Sequence, residues 1–147
     1  MRRRKGPRDL LRGVEILFLG AEQRHDGAQA GIELLEGGRG ECEAHRVRCM
    51  AVREASEELG IRIAPADLDP LTAMHRTAPT GLAVDQRVDF FFACRQWTGE
   101  PRLLEPKADD VRWFDLDGLP DNVVHHERFV LDGWRDGTLP TISAFGF

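Results

Sequence analysis

The sequence predicts one α/β domain in which a mixed sheet packs against two principal helices. The chain has 147 residues, of which 41% are hydrophobic, and this is enough for a single core of ordinary size. Two segments space their apolar residues at roughly helical intervals and end beside a glycine, at Gly60 and Gly137. Other segments are short and rich in β-branched and aromatic residues, which is typical of strands. Strands that alternate with helices favour a layered α/β sandwich.

The first part of the chain carries one clear strand. Residues 1–12 form a basic tail, so the predicted domain covers residues 13–147. The run GVEILFLG, Gly13–Gly20, is apolar and contains β-branched residues, which predicts a strand. Residues 21–40 are rich in glycine and polar side chains, and we expect mostly loop there, with room for a short strand at Ile32–Leu35.

The strongest helix signal covers Glu43–Leu59. Gly60 follows it directly, in the position where a glycine commonly ends a helix. After this turn, Ile61–Ile63 is expected to form a short strand.

The remaining elements are predicted to be three strands and a second helix. Leu71–Ala78 and Gln86–Trp97 have the composition of long strands, and the PTGLAVD segment between them has the glycine and proline of a hairpin loop. Val111–Leu116 alternates well enough for another strand. The second helix is expected to begin near Asp121, a good N-cap residue, and to run to Trp134.

Composition and charge argue against several classes of protein. The net charge of −5 argues against a nucleic-acid partner, although the chain starts with the basic stretch MRRRKGPRD. No apolar run approaches the roughly 20 residues needed to cross a bilayer, and no secretory signal follows the basic start. The three cysteines suggest neither a disulfide framework nor a zinc site, and Cys49 and Cys94 fall in apolar patterns typical of the core. We therefore expect a cytoplasmic protein with reduced thiols.

Three glutamates lie close together near the end of the first predicted helix. At about 100° per residue, Glu54, Glu57 and Glu58 fall within an arc of about 100°. Their like charges repel one another unless a cation neutralises them, and grouped carboxylate oxygens suit Mg²⁺ or Mn²⁺. Arg53 lies one turn before Glu57 and could orient it through an ion pair. A solvated helix face is the alternative, and the spacing alone leaves both interpretations open.

The same segment carries a family resemblance. Residues 53–61, REASEELGI, resemble the second half of the Nudix box, R-E-U-x-E-E-x-G-U with U apolar, and six positions match it. The one departure is Ala55, a small residue where the family prefers a larger aliphatic one. The stretch WTGEPRLLEPKADDVRWFDLDGLPDN, residues 97–122, is similar to the C-terminal part of many bacterial Nudix hydrolases. The final ISAFGF is similar to the aromatic ending of one bacterial subgroup. The resemblance implies a Nudix-like α/β/α sandwich with a mixed sheet and two principal helices.

The resemblance also implies a metal site. Family members hydrolyse a nucleoside diphosphate linked to another group X, with Mg²⁺ or Mn²⁺ bound by the box glutamates. Transferred by position, Glu57 and Glu58 would be the main metal ligands and Glu54 a further one. A backbone carbonyl at Gly38 would add a ligand, and Arg53 would hold Glu57 in place.

One glutamate outside the box completes the catalytic set that the resemblance implies. Glu105 lies in the LLEPK segment, at the counterpart of the family's loop glutamate. It would act as the general base or as an extra metal ligand, and an ordinary solvated loop carboxylate is the alternative.

The first half of the box departs from the family pattern. Residues 35–45, LEGGRGECEAH, contain the two glycines, but Arg53 arrives one residue late when counted from Gly38. Counted back from Arg53, the expected glutamate position holds His45, and the nearest Gly-Glu pair ends at Glu41. A shortened loop with one extra helical turn would explain this, and so would a shifted reading frame over residues 28–48.

The sequence therefore supports two functional hypotheses. The first is a Mg²⁺-dependent pyrophosphohydrolase that acts on a nucleoside triphosphate or on an NDP-sugar such as ADP-ribose, and releases a nucleoside monophosphate. The second is a degenerate, non-catalytic Nudix domain that binds nucleotides. Both take a small-molecule nucleotide partner rather than nucleic acid or a membrane. Many family members are dimers, so a homodimer remains open.

Overall fold

In the part of the chain that the structure describes, a four-stranded mixed sheet carries one helix on each face. The computed structural model describes residues 17–24, 43–104 and 112–147. The strands are β1 (Leu17–Arg24), β2 (Leu68–Arg76), β3 (Arg87–Cys94) and β4 (Ile142–Phe145), and the helices are α1 (Glu43–Leu59) and α2 (His125–Asp136). The strand order is β1-β3-β2-β4, with β3 antiparallel to both of its neighbours and β4 parallel to β2. The predicted α/β class and mixed sheet are confirmed.

A β-bulge in β2 determines which residues face each helix. The register between β2 and β3 shifts between Pro70 and Thr72. Because side chains alternate along a strand, an extra residue exchanges the two faces beyond the bulge. Leu68 consequently packs on the side of α1, whereas Met74 packs on the side of α2.

Each helix buries a small apolar surface against its own face of the sheet. On the α1 side, Ala51 and Ala55 pack with Phe92 and Cys94 of β3. The small alanine side chains let the helix lie close to the sheet, and their spacing of four residues places them on one stripe. On the α2 side, the fully buried Val130 packs with Phe91 and Met74 of the sheet. Of the two cysteines expected in the core, Cys94 is buried and Cys49 is exposed.

Several predicted boundaries agree with the structure. The first helix is observed over Glu43–Leu59, as predicted, and Gly60 leaves it with a φ of 68°. The hairpin strands occur close to their predicted ranges, and the segment between them contains a single 3₁₀ turn, Ala83–Asp85. None of the described helices is long and apolar enough to span a membrane.

Other predictions were wrong in their extent. β1 continues to Arg24, so residues 21–24 are strand rather than loop, because they pair with β3 along their whole length. The expected strand Ile61–Ile63 is reduced to one bridge between Arg62 and Thr98. The strand predicted over Gly13–Gly20 starts before the described residues, and the short strand predicted at Ile32–Leu35 lies entirely outside them.

The predicted strand at Val111–Leu116 and the start of the second helix also need correction. Residues 112–115 form no strand, and a 3₁₀ turn, Leu116–Gly118, follows them. The helix begins at His125, with Val124 rather than Asp121 at the N-cap. Pro120 accepts a hydrogen bond from the amide of Val123 at 3.3 Å, and this turn occupies the residues expected to start the helix.

Charged groups are buried between the sheet and α2. Asp89 of β3 has an exposed fraction of 4%, and its Oδ2 accepts a hydrogen bond from Arg76 Nε. His126 Nε2 lies 4.0 Å from the same oxygen. Among the described residues, Asp89 Oδ1 has no hydrogen-bond partner. Burial raises the pKa of the neighbouring Glu127 carboxyl, and the charge of Asp89 raises it further, while Arg76 lowers it.

This environment makes Glu127 a source of pH-dependent stability. The pKa of Glu127 in the folded protein lies above its ordinary value of 4.5. The stability that the protonated carboxyl contributes is therefore fully present below pH 4.5. The contribution is lost as the pH rises through the folded pKa. We expect the melting temperature of Glu127→Gln, minus that of the wild type, to increase as the pH is raised from 4 to 8.

Thermal melts across that pH range measure the effect, with Glu100→Gln as the control because Glu100 is an exposed loop glutamate. Both variants lose one carboxylate, so a general effect of net charge would appear in both. A difference between Glu127→Gln and the wild type that stays constant with pH would contradict the prediction.

Candidate active site

The glutamate cluster lies on the last two turns of α1, beside the stripe that packs on the sheet. Ala55 is buried, Glu54 is partly exposed, and Glu57 and Glu58 are exposed. The helix thus buries one side and presents carboxylates next to it, as the sequence predicted. Exposed carboxylates at this position can reach a cation or a substrate that approaches the end of the helix.

Arg53 and Glu57 form an ion pair along the helix surface. Arg53 Nε lies 3.8 Å from Glu57 Oε1, and the two side chains are 68% and 63% exposed. A pair this exposed, at a spacing of four residues, stabilises a helix by only about 0.3–0.5 kcal/mol. The pair therefore matters for the orientation of Glu57 more than for the stability of the fold.

The position of these carboxylates is electrostatically unfavourable for the helix. The C-terminal end of a helix carries a partial negative charge, and cations stabilise it there whereas anions do not. The last turn of α1 contains Glu57 and Glu58 and no basic residue. The like charges of neighbouring glutamates add to this cost. A bound cation would relieve both repulsions.

The chain after β3 returns to the end of α1 and caps it. The amides of Arg102 and Leu104 donate hydrogen bonds to the carbonyls of Leu59 (3.0 Å) and Glu58 (2.8 Å). Helix ends leave such carbonyls without partners inside the helix, so another segment or water must supply the donors. We call residues 98–104 the capping segment. The capping segment connects the C-terminal end of α1 to β3, the strand that precedes the segment in the chain.

Gly60 fits beneath the capping segment. A Cβ atom added at Gly60 would lie 3.1 Å from Leu104 Cδ1 and 3.5 Å from Arg102 Nε. Its φ of 68° also belongs to the left-handed region, where a side chain costs about 1–2 kcal/mol. Both the backbone conformation and the packing therefore require glycine here.

Gly60→Ala is expected to destabilise the protein by about 1–2 kcal/mol through the backbone alone, and by more through displacement of Leu104. Gly137→Ala is the matched control, because Gly137 ends α2 at the same φ of 68° with nothing within 4 Å of an added Cβ. Urea denaturation of the two variants separates packing from backbone strain. Equal losses would contradict a packing role for Leu104 against Gly60.

Comparison with known proteins agrees with this geometry. The family model described as the NUDIX domain matches residues 19–132, which is more than half of the chain and includes most of β1, all of α1 and most of α2. The chain belongs to the Nudix family. Neither the curated proteins nor the solved structures gave a match. As in the Nudix fold, a mixed sheet is combined with two helices.

Membership of the Nudix family allows the donor set to be tested against the metal that these enzymes generally use. Glu54, Glu57 and Glu58 supply hard carboxylate oxygens within two helical turns, at a helix end that lacks a basic residue in its last turn. This chemistry fits Mg²⁺ or Mn²⁺. Within residues 17–24, 43–104 and 112–147, however, no three His, Cys, Asp or Glu side chains converge closely enough to enclose an ion. The described glutamates alone do not form a complete site.

Two of the six site residues predicted from the sequence lie outside the described residues, namely Gly38 and Glu105. Glu41, which ends the Gly-Glu pair nearest to the expected glutamate of the box, also lies outside them. The structure brings Arg53 and Glu57 together on α1 and places Glu54 and Glu58 on the same two turns. The roles of all six residues remain predictions.

Sequence reasoning missed the capping segment. Its contacts with α1 are made by backbone amides, and an amide is present at almost every residue, so no side-chain pattern marks them. The one available signal was Gly99, whose φ of 97° requires a glycine and whose added Cβ would lie 3.4 Å from the carbonyl of Gly60.

Two tryptophans flank the capping segment in the chain. Trp97 and Trp113 stack with ring centroids 5.9 Å apart and an interplanar angle of 16°. Trp97 also packs against the core on the α1 side. The pair thus connects residues 112–115 to the core on the α1 side, and both rings act in packing.

Proposed function

We propose that this Nudix protein hydrolyses the pyrophosphate bond of a nucleoside diphosphate linked to X, in a reaction that depends on Mg²⁺ or Mn²⁺. Family membership implies pyrophosphate hydrolysis of nucleoside diphosphate derivatives. The finer proposal is that the substrate is a nucleoside triphosphate or an NDP-sugar such as ADP-ribose, and that a nucleoside monophosphate is released. The observation that carries the proposal is the carboxylate cluster at the negative end of α1, in a last turn without a basic residue.

Each side chain in the proposal has a separate task. Glu57 and Glu58 hold the metal ion with their carboxylates, and Glu54 contributes a further ligand directly or through water. A bound divalent cation neutralises phosphate oxygens and lowers the pKa of water. The carbonyl of Gly38 is proposed as an additional oxygen ligand. Arg53 keeps Glu57 in a fixed orientation, consistent with their separation of 3.8 Å.

Glu105 is proposed as the general base or as an extra metal ligand. As base, it would accept a proton from the water whose oxygen forms the new bond to phosphorus while the bridging P–O bond breaks. Support comes from the family resemblance, in which Glu105 is the counterpart of the loop glutamate, and a carboxylate is a suitable general base for such a proton transfer.

The test is a panel of nucleoside triphosphates, ADP-ribose, other NDP-sugars and dinucleoside polyphosphates, each incubated with Mg²⁺, with Mn²⁺ and with a chelator. We expect release of a nucleoside monophosphate that requires the metal ion and stops with the chelator. If a folded protein binds nucleotides without cleaving any of them, the degenerate nucleotide-binding domain becomes the better account. A cytoplasmic location, a homodimer and the lack of a nucleic-acid partner stay predictions from the sequence.

A further inference from the structure

The last turn of α1 carries two acidic side chains and should fray easily. Helix ends have the lowest local stability, and the partial negative charge at the C-terminal end of the helix disfavours the carboxylates of Glu57 and Glu58. A metal site needs its ligands held within about 0.5 Å of the productive geometry. Something outside the helix must therefore keep this turn in place.

The capping segment has the contacts to do this. Its two amides bind the carbonyls of Glu58 and Leu59, so the backbone of a proposed metal ligand is held directly. At its other end, Thr98 exchanges two backbone hydrogen bonds of 2.9 Å with Arg62, just beyond the helix. The segment is thus fastened on both sides of the helix terminus.

Side chains of the same segment complete the arrangement. Leu104 lies over Gly60, where an added Cβ would be 3.1 Å from its Cδ1. Arg102 brings its guanidinium close to the same residue, and a cation there favours the negative end of the helix. Leu104 is 48% exposed, so its contribution to the global core is small.

We propose that residues 98–104 position the metal-binding turn of α1, with Leu104 as the principal positioning residue. Leu104 acts through the backbone of Glu58 and Gly60 and touches neither metal nor substrate. The role rests on the proposed function, because it assigns the segment to the glutamates that bind the metal. We therefore expect that a substitution which weakens the contacts of the capping segment raises the Mg²⁺ concentration needed for turnover, with little effect on the global stability of the fold.

The test compares Leu104→Ala with Leu104→Met, which refills the space, and with Leu82→Ala as the matched control. Leu82 is 58% exposed and belongs to the β2–β3 connection, not to the capping segment. Amide hydrogen exchange by NMR follows the amides of Gly60, Arg102 and Leu104. Activity assays give the Mg²⁺ concentration for half-maximal turnover, and the substrate KM at saturating Mg²⁺.

In Leu104→Ala we expect exchange at these amides to accelerate by about tenfold, which corresponds to about 1.4 kcal/mol of local stability. The half-maximal Mg²⁺ concentration should rise at least fivefold, with KM at saturating Mg²⁺ unchanged. Leu104→Met should restore the wild-type exchange rates and the wild-type half-maximal Mg²⁺ concentration. Leu82→Ala should match the wild type in both.

Faster exchange with unchanged Mg²⁺ dependence would overturn the positioning role, because the segment would then be only a structural cap. Unchanged exchange would overturn it as well. If the wild type cleaves no substrate, the proposed hydrolysis fails separately, and Mn²⁺ binding measured by EPR replaces turnover. Weaker Mn²⁺ binding by Leu104→Ala would support the role, whereas equal binding, or none by the wild type, would overturn it.

Discussion

Replacing Glu57 with glutamine is expected to reduce turnover by about a hundredfold or more while the fold is retained. The substitution removes one negative charge and one strong ligand oxygen from the proposed metal site. It should therefore weaken metal-dependent stabilisation of the transition state, which is worth several kcal/mol. Glu57 is exposed and its ion pair with Arg53 contributes little to stability, so the melting temperature should change only slightly. Steady-state kinetics at several Mg²⁺ concentrations measure the effect.

Asp117→Asn is the matched control for the loss of one surface carboxylate. Its side chain is 93% exposed and its charged neighbour, Arg135, lies 4.0 Å away on α2. This variant should keep the turnover and the Mg²⁺ dependence of the wild type. Similar kinetics in Glu57→Gln and Asp117→Asn would show that Glu57 has no specific role and would favour the solvated-face interpretation of the cluster.

Replacing Arg76 with methionine is expected to be the most destabilising of these substitutions. The change leaves the carboxylate of Asp89 without its guanidinium partner, while its side chain is only 5% exposed. Removing one partner of a buried ion pair costs about 3–5 kcal/mol, and the partial exposure of Arg76, 17%, places the expectation near about 3 kcal/mol. Urea denaturation at neutral pH gives the free energy of unfolding.

A double-mutant cycle with Asp89→Asn separates the ion pair from packing. Arg76→Met combined with Asp89→Asn should recover a large part of the loss, because the buried side chain at position 89, which Arg76→Met alone leaves without its guanidinium partner, is then uncharged. Strictly additive effects would show that Arg76 stabilises the protein through its hydrocarbon stem or through other contacts, and not through Asp89.

The first helix could be predicted closely because its signals are local. Apolar residues at Ala51 and Ala55, charges beside them and Gly60 at the end all belong to one short stretch of sequence. The N-cap of α2 lies three residues after Asp121, although Asp121 is by type the better N-cap residue. The hydrogen bond from the amide of Val123 to Pro120, together with that from Arg128 Nη2 to the same carbonyl at 2.8 Å, stabilises a turn there instead.

Elements that depend on distant partners were harder to predict. β4 has four residues, of which the polar Ser143 is buried while the apolar Ile142 is 77% exposed, so the polarity of the sequence does not indicate the buried face. β4 exists as a strand because it pairs with β2, to which a hydrogen bond between Thr72 and Ser143 at 3.0 Å also joins it. The bulge before Thr72 likewise depends on the register with β3 and leaves no clear mark in the sequence.

The candidate site shows the same division between local and long-range information. Arg53, Glu54, Glu57 and Glu58 could be identified from a short motif, since a helix alone brings them to one end. The capping segment could not, because its contacts join residues about forty positions apart in the chain through backbone groups. The motif thus reveals the chemistry of the site, and the fold reveals what holds it.

The most direct test of the central claim is the binding of Mn²⁺ to the wild type and to Glu57→Gln, measured by EPR titration without substrate. If the glutamates of α1 hold the catalytic metal, the wild type should bind Mn²⁺, Mg²⁺ should compete for the site, and the variant should bind about tenfold more weakly or worse. Equal affinity in the two proteins, or no binding by a folded wild type, would contradict the account.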